Sequence, residues 1–349
     1  MKKIVGYVGA FSIIATLLPF IPTPHWSIRI FDFPHAQVSL LTALSLVGVL
    51  YYYSLKSIRG SVLAALLSAA LLYQITLMVP YTFLAKPQVV KTDGEDIEGS
   101  LSVLSANIYM ENRQSDRLLE KVEEYNPDIV LLLETDQWWA DAVSSLKQDY
   151  PYFVEVPIDN TYGMLLYSRH KLIDPAVEYL VKDDIPSIHT EMELASGARI
   201  KLYAIHPEPP TPTESESSTP RDGELMICGK MVVKDTLPVV VIGDLNDVAW
   251  SSTTQLFQEV SQLLDPRIGR GFFNTFNANY PLLRWPLDHV FHSEDFKLVR
   301  MVRLPDIGSD HFPIFAHISL EPEAVFQQEP PKPTAEDLKE AEKKIEDVQ

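Results

Sequence analysis

The chain has 349 residues, 46% of them hydrophobic, and a formal net charge of −18. Its single cysteine, Cys228, excludes an intramolecular disulfide, so any exported domain must be stable by its core alone. Residues 1–90 carry six cations against one Asp and residues 321–349 nine acids against four lysines, which leaves −18 on residues 91–320 and excludes a broad basic footprint for nucleic acid.

The N-terminal 86 residues predict a membrane anchor. Three runs without a charged residue, at about 4–22, 37–55 and 61–84, each approach the ~20 residues a helix needs to cross a bilayer. Lys2 and Lys3 before the first run resemble the start of a cleaved signal peptide, but the bulky sequence TLLPFIPTP follows where a small-residue cleavage site would stand, and two more runs come after it. Lys2, Lys3, Lys56 and Arg59 flank the runs on one side, against Arg29 on the other, which puts the N-terminus in the cytoplasm. Three crossings then carry everything beyond residue 86 to the opposite side. The expected location is a cell membrane, multi-pass, with the domain on its outer, extracytoplasmic side.

A linker at 87–100 leads to a segment, 101–320, that alternates strand-like and helix-like patterns. LSVLSANIY is a strand, RLLEKVEEY an amphipathic helix stopped by Asn126-Pro127, and DIVLLLETD a second buried strand. YGMLLYSR, SIHTEMEL and ARIKLYAIHP are strands without long helices between them, so part of the structure should be antiparallel and divided into two sheets. PEPPTPTESESSTP predicts a surface loop. RDGELMICGKMVV and STTQLFQEVSQLL predict helices on either side of the strand PVVVIGD, and HVFHS and FPIFAHISL close the segment. The charged tail, 321–349, has few apolar anchors and is expected to be disordered or marginally helical.

The apolar strands end in polar residues with unusual regularity: Asn107, Glu134, His206, Asp244 with Asn246, Asp288 with His289, and Asp310 with His311. One such end is an ordinary turn or helix cap. Six together, rich in oxygen and poor in sulfur, point to a hard cation, Mg2+ or Mn2+.

In order along the chain, the motifs AN, LLLETD, IHPEPP with RDGEL, GDLND, Thr275, LDH and SDH resemble the endonuclease/exonuclease/phosphatase superfamily, and in particular its membrane-anchored bacterial members. The resemblance implies a four-layer α/β sandwich, two packed mixed β-sheets flanked by helices, with the site at one edge, and a bacterial inner membrane as the location, with a periplasmic or extracellular domain. It also implies roles: Glu134 as main metal ligand supported by Asn107 and Asp310, Asp244 to orient or deprotonate water, Asn246 to donate to a phosphate oxygen, Asp288 with His311 as a dyad, and His206 at the position of a catalytic histidine. Whether Asp244 or His311 is the base stays open. His189, His289, His292 and His317 are expected to be structural, and Trp139 to belong to the core.

These residues predict a membrane-anchored, metal-dependent phosphodiester hydrolase. A nuclease-like activity is the first expectation; a lipid-headgroup phosphodiesterase or a phosphomonoesterase is the alternative, and an inactive binding protein a further one. The partners expected are the phosphodiester substrate, nucleic acid or lipid headgroup, and the lipid bilayer.

Overall fold

The structure is a computed structural model and describes residues 1–94 and 98–349. It opens with α1 (Lys2–Leu17), the one-turn α2 (Trp26–Arg29), α3 (His35–Tyr52) and α4 (Ile58–Met78). With their terminal turns, the three long helices span Lys2–Phe20, His35–Tyr52 and Ile58–Tyr81, long and apolar enough to cross a membrane. They pack on one another through small residues: Gly9 faces Leu67, and a Cβ on Gly48 would lie 2.9 Å from Val5. Their outer surface is apolar, with Phe11, Leu44, Val47, Leu66 and Leu72 exposed.

Two mixed β-sheets with flanking helices follow. The chain runs through β1 (Ser100–Asn107), α5 (Ser115–Tyr125), β2 (Ile129–Leu133), α6 (Gln137–Ala142), β3 (Tyr152–Val156), β4 (Met164–Ser168), β5 (Lys171–Glu178), β6 (Ser187–Glu193) and β7 (Arg199–Ala204). Then come α7 (Thr219–Val232), β8 (Val239–Asp244), α8 (Ser252–Ser261), β9 (Asp288–His292), β10 (Phe296–Arg303), β11 (Ile314–Leu320) and α9 (Ala335–Glu346). One sheet has the order β10-β11-β1-β2-β4-β3 and the other β5-β6-β7-β8-β9. Val103, Leu131, Leu133 and Leu166 of the first interleave with Leu202, Val240, Ile242 and Val290 of the second, closing the central core. Leu118, Val122 and Trp139 cover the outer face of the first sheet, and Leu225, Leu256, Phe257 and Val260 that of the second. This is the expected four-layer sandwich.

Each sheet has a parallel pair at its centre, β1 with β2 and β7 with β8, and an antiparallel strand entering beside it. Asn107 is level with Leu133, so Asn107 and Glu134 emerge together. Asp244, ending β8, pairs with Asp288, starting β9, and β11 begins beside the end of β1, which brings Asp310 and His311 to the same edge.

The stretches expected to be a linker and a loose tail join the sandwich instead. Val89 is buried between the sheets and Lys91 pairs with Leu298; of the stretch read as a linker, residues 95–97 lie outside the described residues. The tail is not disordered. Thr334 and Asp337 form a reciprocal cap on α9, Ala341 is buried against α7 and α8, and Lys344 Nζ lies 3.0 Å from Asp222 Oδ2. The close approach needs Gly223, where a Cβ would come within 2.6 Å of Val348. The segment joining α1 to α3 also docks on the sandwich: Trp26 N donates to Glu216 O, Ser218 N to Pro24 O, and Trp250 Nε1 to Asp32 O.

Candidate active site

Val239–Ile242 is apolar because β8 is buried on both faces, and the chain then turns through Gly243 and Asp244. Gly243 has φ 144°, and a Cβ there would lie 1.9 Å from Ile205 O, so only glycine lets β8 end against the strand beside it. Asp244 is buried. Its Oδ1 accepts from Asn246 N at 2.9 Å, and its Oδ2 accepts from Asn107 Nδ2 at 3.1 Å. Asn246 stands at φ 50°, with its Nδ2 donating to Pro207 O at 2.9 Å.

Asn107 also donates to Glu134 Oε1 at 2.7 Å, so one amide ties the ends of both sheets together. Glu134 has φ 61°, a conformation uncommon for this residue and of the kind that collects at functional sites. Burial raises its carboxyl to about 7 against the opposing effect of the Asn107 hydrogen bond.

His311 sits between two carboxylates. Its Nδ1 donates to Asp288 Oδ2 at 2.8 Å, and its Nε2 lies 3.6 Å from Asp244 Oδ2. Burial by itself would lower this histidine, but Asp288 and Asp244 overcome it and push it up to about 10. Ligand atoms of Asp244, Asp288 and His311 lie within 4.8 Å of one another, a buried cluster of the kind that can hold a divalent metal ion. Both imidazole nitrogens are turned to carboxylates, so His311 forms a dyad with Asp288 beside a second acid, while Asp288 Oδ1 is buried without a hydrogen-bond partner. Thr275 Oγ1 accepts from Asp288 N at 3.2 Å, and Ser309 Oγ donates to Asn107 O at 2.8 Å, fixing the strand ends.

A cleft of about 310 Å3 opens over this floor, lined among others by Glu134, His206, Asn246, Asp310 and His311. The eight residues singled out in the sequence therefore meet in one place. Burial lowers His206 to about 4, its ring lies 5.3 Å from that of Tyr162, and its Nδ1 has no hydrogen-bond partner. Burial raises Asp310, whose backbone carbonyl accepts from Ala278 N at 2.6 Å. A larger cleft, about 600 Å3, lies between residues 19–24 and α9 and contains none of these residues.

Two neighbours, Phe33 and Phe276, carried no signal in the sequence. Phe33, from the segment between α2 and α3, and Phe276 form part of the cleft wall. Arg221 of the RDGEL motif is fully buried beneath GDLND, with Nη1 2.9 Å from Asn246 O and 3.3 Å from Asp247 Oδ1, and Nη2 2.8 Å from Asp222 Oδ1. Asp247 thus turns away from the cleft. The other histidines divide as expected: His289 accepts from Arg267 and lies 2.9 Å from Asp247 O, and His292 Nδ1 donates to Ser293 O.

Residues 104–311 match the model of the endonuclease/exonuclease/phosphatase family. No curated protein matches the chain significantly. Among solved structures, it is similar to D. rerio TDP2 complexed with a single-strand DNA product, at 18% identity over 63% of this chain and 99% of that one, with TM-score 0.51. It is similar also to the human Nocturnin catalytic domain with bound sulfate, at 18% identity, 69% and 98% coverage and TM-score 0.53. A family protein from Bacteroides thetaiotaomicron aligns at 16% identity, 64% and 96% coverage and TM-score 0.50. With most of its sandwich matched by the family model, and its polar strand ends gathered at one edge of two packed mixed sheets, the chain belongs to the endonuclease/exonuclease/phosphatase family.

Proposed function

We propose that the chain is a divalent-metal-dependent phosphodiester hydrolase, held by three N-terminal helices in a bacterial inner membrane with its sandwich on the outer face. The observation that carries this reading is the charge of the cleft: Glu111, Glu134, Glu214 and Asp310 line it, and among the described residues no Lys or Arg does. A phosphate entering there adds negative charge to carboxyl groups, so the donor set fits Mg2+ or Mn2+. Glu134, Asn107 and Asp310 are the residues that would hold the cation, which when bound neutralises charge on the phosphate.

The remaining roles fall to the chain itself. Asp244, fixed by two N–H donors, is set to orient or deprotonate the attacking water. His311 carries a proton beside Asp244 and can give it to a phosphate oxygen, while Asp288 fixes the ring through Nδ1. Asn246 commits one amide N–H to Pro207 and keeps a second for a phosphate oxygen without adding charge. Neutral His206, with Nδ1 unpartnered, can hydrogen-bond the substrate.

The orientation is supported by the lysines of the sequence and by the docked segment before α3. That segment and everything after α4 pack on each other and must share one side of the bilayer, which the two crossings between them, α3 and α4, allow.

The test uses the full chain in detergent micelles with bis(p-nitrophenyl) phosphate and p-nitrophenyl phosphate. Diester turnover should stop in EDTA and return with Mg2+ or Mn2+. Undiminished turnover in EDTA overturns the metal role, preference for the monoester makes the protein a phosphomonoesterase, and no turnover of either ester supports an inactive binding protein.

A further inference from the structure

Exposed apolar residues, here the rim, mark the outer ends of the apolar helices and one loop of the sandwich that is tied to the outer end of α3. Phe20 and Ile21 follow α1, Ile30 lies before α3, and Phe83 and Leu84 follow α4, all exposed. The sandwich adds the loop between Phe276 and Trp285, in which Leu282 is 84% and Tyr280 61% exposed, with Leu283 exposed beside them. This loop is held in place. Gln37 Nε2, at the outer end of α3, donates to Leu282 O at 2.9 Å, and Arg284 Nη2 donates to Ala278 O at 2.9 Å. An ordered loop that keeps two leucines and a tyrosine in water, tied to the end of an apolar helix, has the composition of an interfacial contact.

The same loop borders the site. Its first residue, Phe276, lies 4.9 Å from the His311 ring, and Ala278 N donates to the carbonyl of Asp310. Phe33 stacks edge-on against Trp285 at 5.8 Å and lines the cleft with Phe276 and Leu287, whereas Glu111, Glu134 and Glu214 also line it. The cleft is therefore amphipathic, and its apolar wall is built from the segments that meet the rim.

We propose that loop 277–284 is a second membrane contact of this protein, with Leu282 and Leu283 in the outer bilayer interface and Tyr280 at headgroup level, and that it presents the cleft to a phosphodiester carried by a bilayer lipid. This substrate class rests on the hydrolase reading above; the membrane contact does not. In the reaction the hydroxyl of water is added to phosphorus, one P–O ester bond breaks, and the departing oxygen takes the water's proton, leaving an alcohol and a phosphomonoester. An amphiphile held at the interface needs no basic track along the protein, which suits a surface of this charge.

The experiment reconstitutes the full chain with Mg2+ into vesicles of phosphatidylethanolamine and phosphatidylglycerol. Hydrolysis of vesicle lipid, of bis(p-nitrophenyl) phosphate and of a single-stranded oligonucleotide is compared between wild type and the double variant Leu282→Ser, Leu283→Ser. Expected are hydrolysis of vesicle lipid by wild type, its loss by about tenfold or more in the variant, and soluble-diester turnover changed by less than about twofold. A separate Leu282→Trp protein should show blue-shifted emission, quenched by lipids brominated near the headgroup. Absence of that shift and quenching overturns the membrane contact whatever the activities are. Turnover of the soluble diester or the oligonucleotide without any of the vesicle lipid overturns the substrate class and leaves the hydrolase reading standing, whereas no turnover of any ester removes that reading first.

Discussion

The pairing of His311 with Asp288 can be tested by a double-mutant cycle. The two groups are 2.8 Å apart and buried, and Asp244 lies 3.6 Å from the other side of the ring. At an effective dielectric of about 20, unit charges at such separations attract by roughly 5 kcal/mol each before desolvation is counted, enough to keep a proton on a buried imidazole. His311→Ala removes the proton carrier and should lower turnover by ~10² to 10⁴. Asp288→Asn is milder, by roughly tenfold to a hundredfold, because the new amide group still faces Nδ1 and leaves Nε2–H pointing at Asp244. The double variant should be no worse than His311→Ala alone, so the cycle should return a coupling equal to the Asp288→Asn effect, about 1.4 to 2.7 kcal/mol, in the upper part of the range for residues in contact. The assay is turnover of bis(p-nitrophenyl) phosphate by the full chain with Mg2+, with melting temperature as a control on the fold. Losses that simply multiply would show that the two residues act independently, and the dyad would have to be abandoned.

Three further outcomes follow from the same geometry. Glu134→Gln keeps the hydrogen bond to Asn107 possible but removes the carboxylate charge, so the Mg2+ needed for half-maximal turnover should rise about tenfold or more; an unchanged Mg2+ titration assigns the ligand elsewhere. Arg221→Met leaves Asp222 and Asp247 buried without their common cation, which should cost about 3–5 kcal/mol and show in denaturant unfolding; a stability within about 1 kcal/mol of wild type would refute the buried-network account. Burial, partly offset by Arg29, raises Asp32 to about 7 from the 3.8 of an unfolded aspartate. Between those values the folded chain binds more protons than the unfolded one, so this residue makes stability fall as pH rises to about 7 and level off above it. Asp32→Asn should flatten that part of the slope of melting temperature against pH, and an identical slope in the variant would sink the assignment.

The site was legible in the sequence because its strands are central. β1, β2 and β8 are buried on both faces; β2 and β8 appear as continuous apolar runs and β1 as one interrupted only by small serines, so the larger polar residue that ends each, Asn107, Glu134 or Asp244, has the sheet edge as its outlet. The strands that escaped notice, β3, β5 and β10, are edge strands. β5 carries Asp174 and Pro175 at a register shift, and β10 mixes Lys297, Arg300 and Arg303 among its apolar residues. Charges and proline on an edge discourage further pairing and also erase the hydropathy pattern by which a strand is recognised. Phe33 and Phe276 were invisible for another reason: an aromatic residue in a loop has no periodicity, and its part in the cleft depends on contacts between segments more than 200 positions apart.

The domain boundaries were misread for a physical reason that bears on how the protein must be handled. A linker is inferred where charge rises and hydropathy falls, yet a short segment needs few apolar residues to join a core that others have built. Val89 fills a place between the sheets, and Gln328, in the tail, donates to Glu294 O and Phe296 O and accepts from Val90 N. Cutting the chain to the apparent catalytic segment, 101–320, would open the central core at Val89, remove α9 from the outer layer and strip Phe33 from the cleft wall. Loss of one buried aliphatic side chain costs about 2–5 kcal/mol through lost apolar transfer and the cavity left behind, a large share of the stability of an ordinary domain. The apolar N-terminal helices and the cleft are therefore parts of one folded unit, and the position of the site relative to those helices is set by the same contacts that hold its wall together.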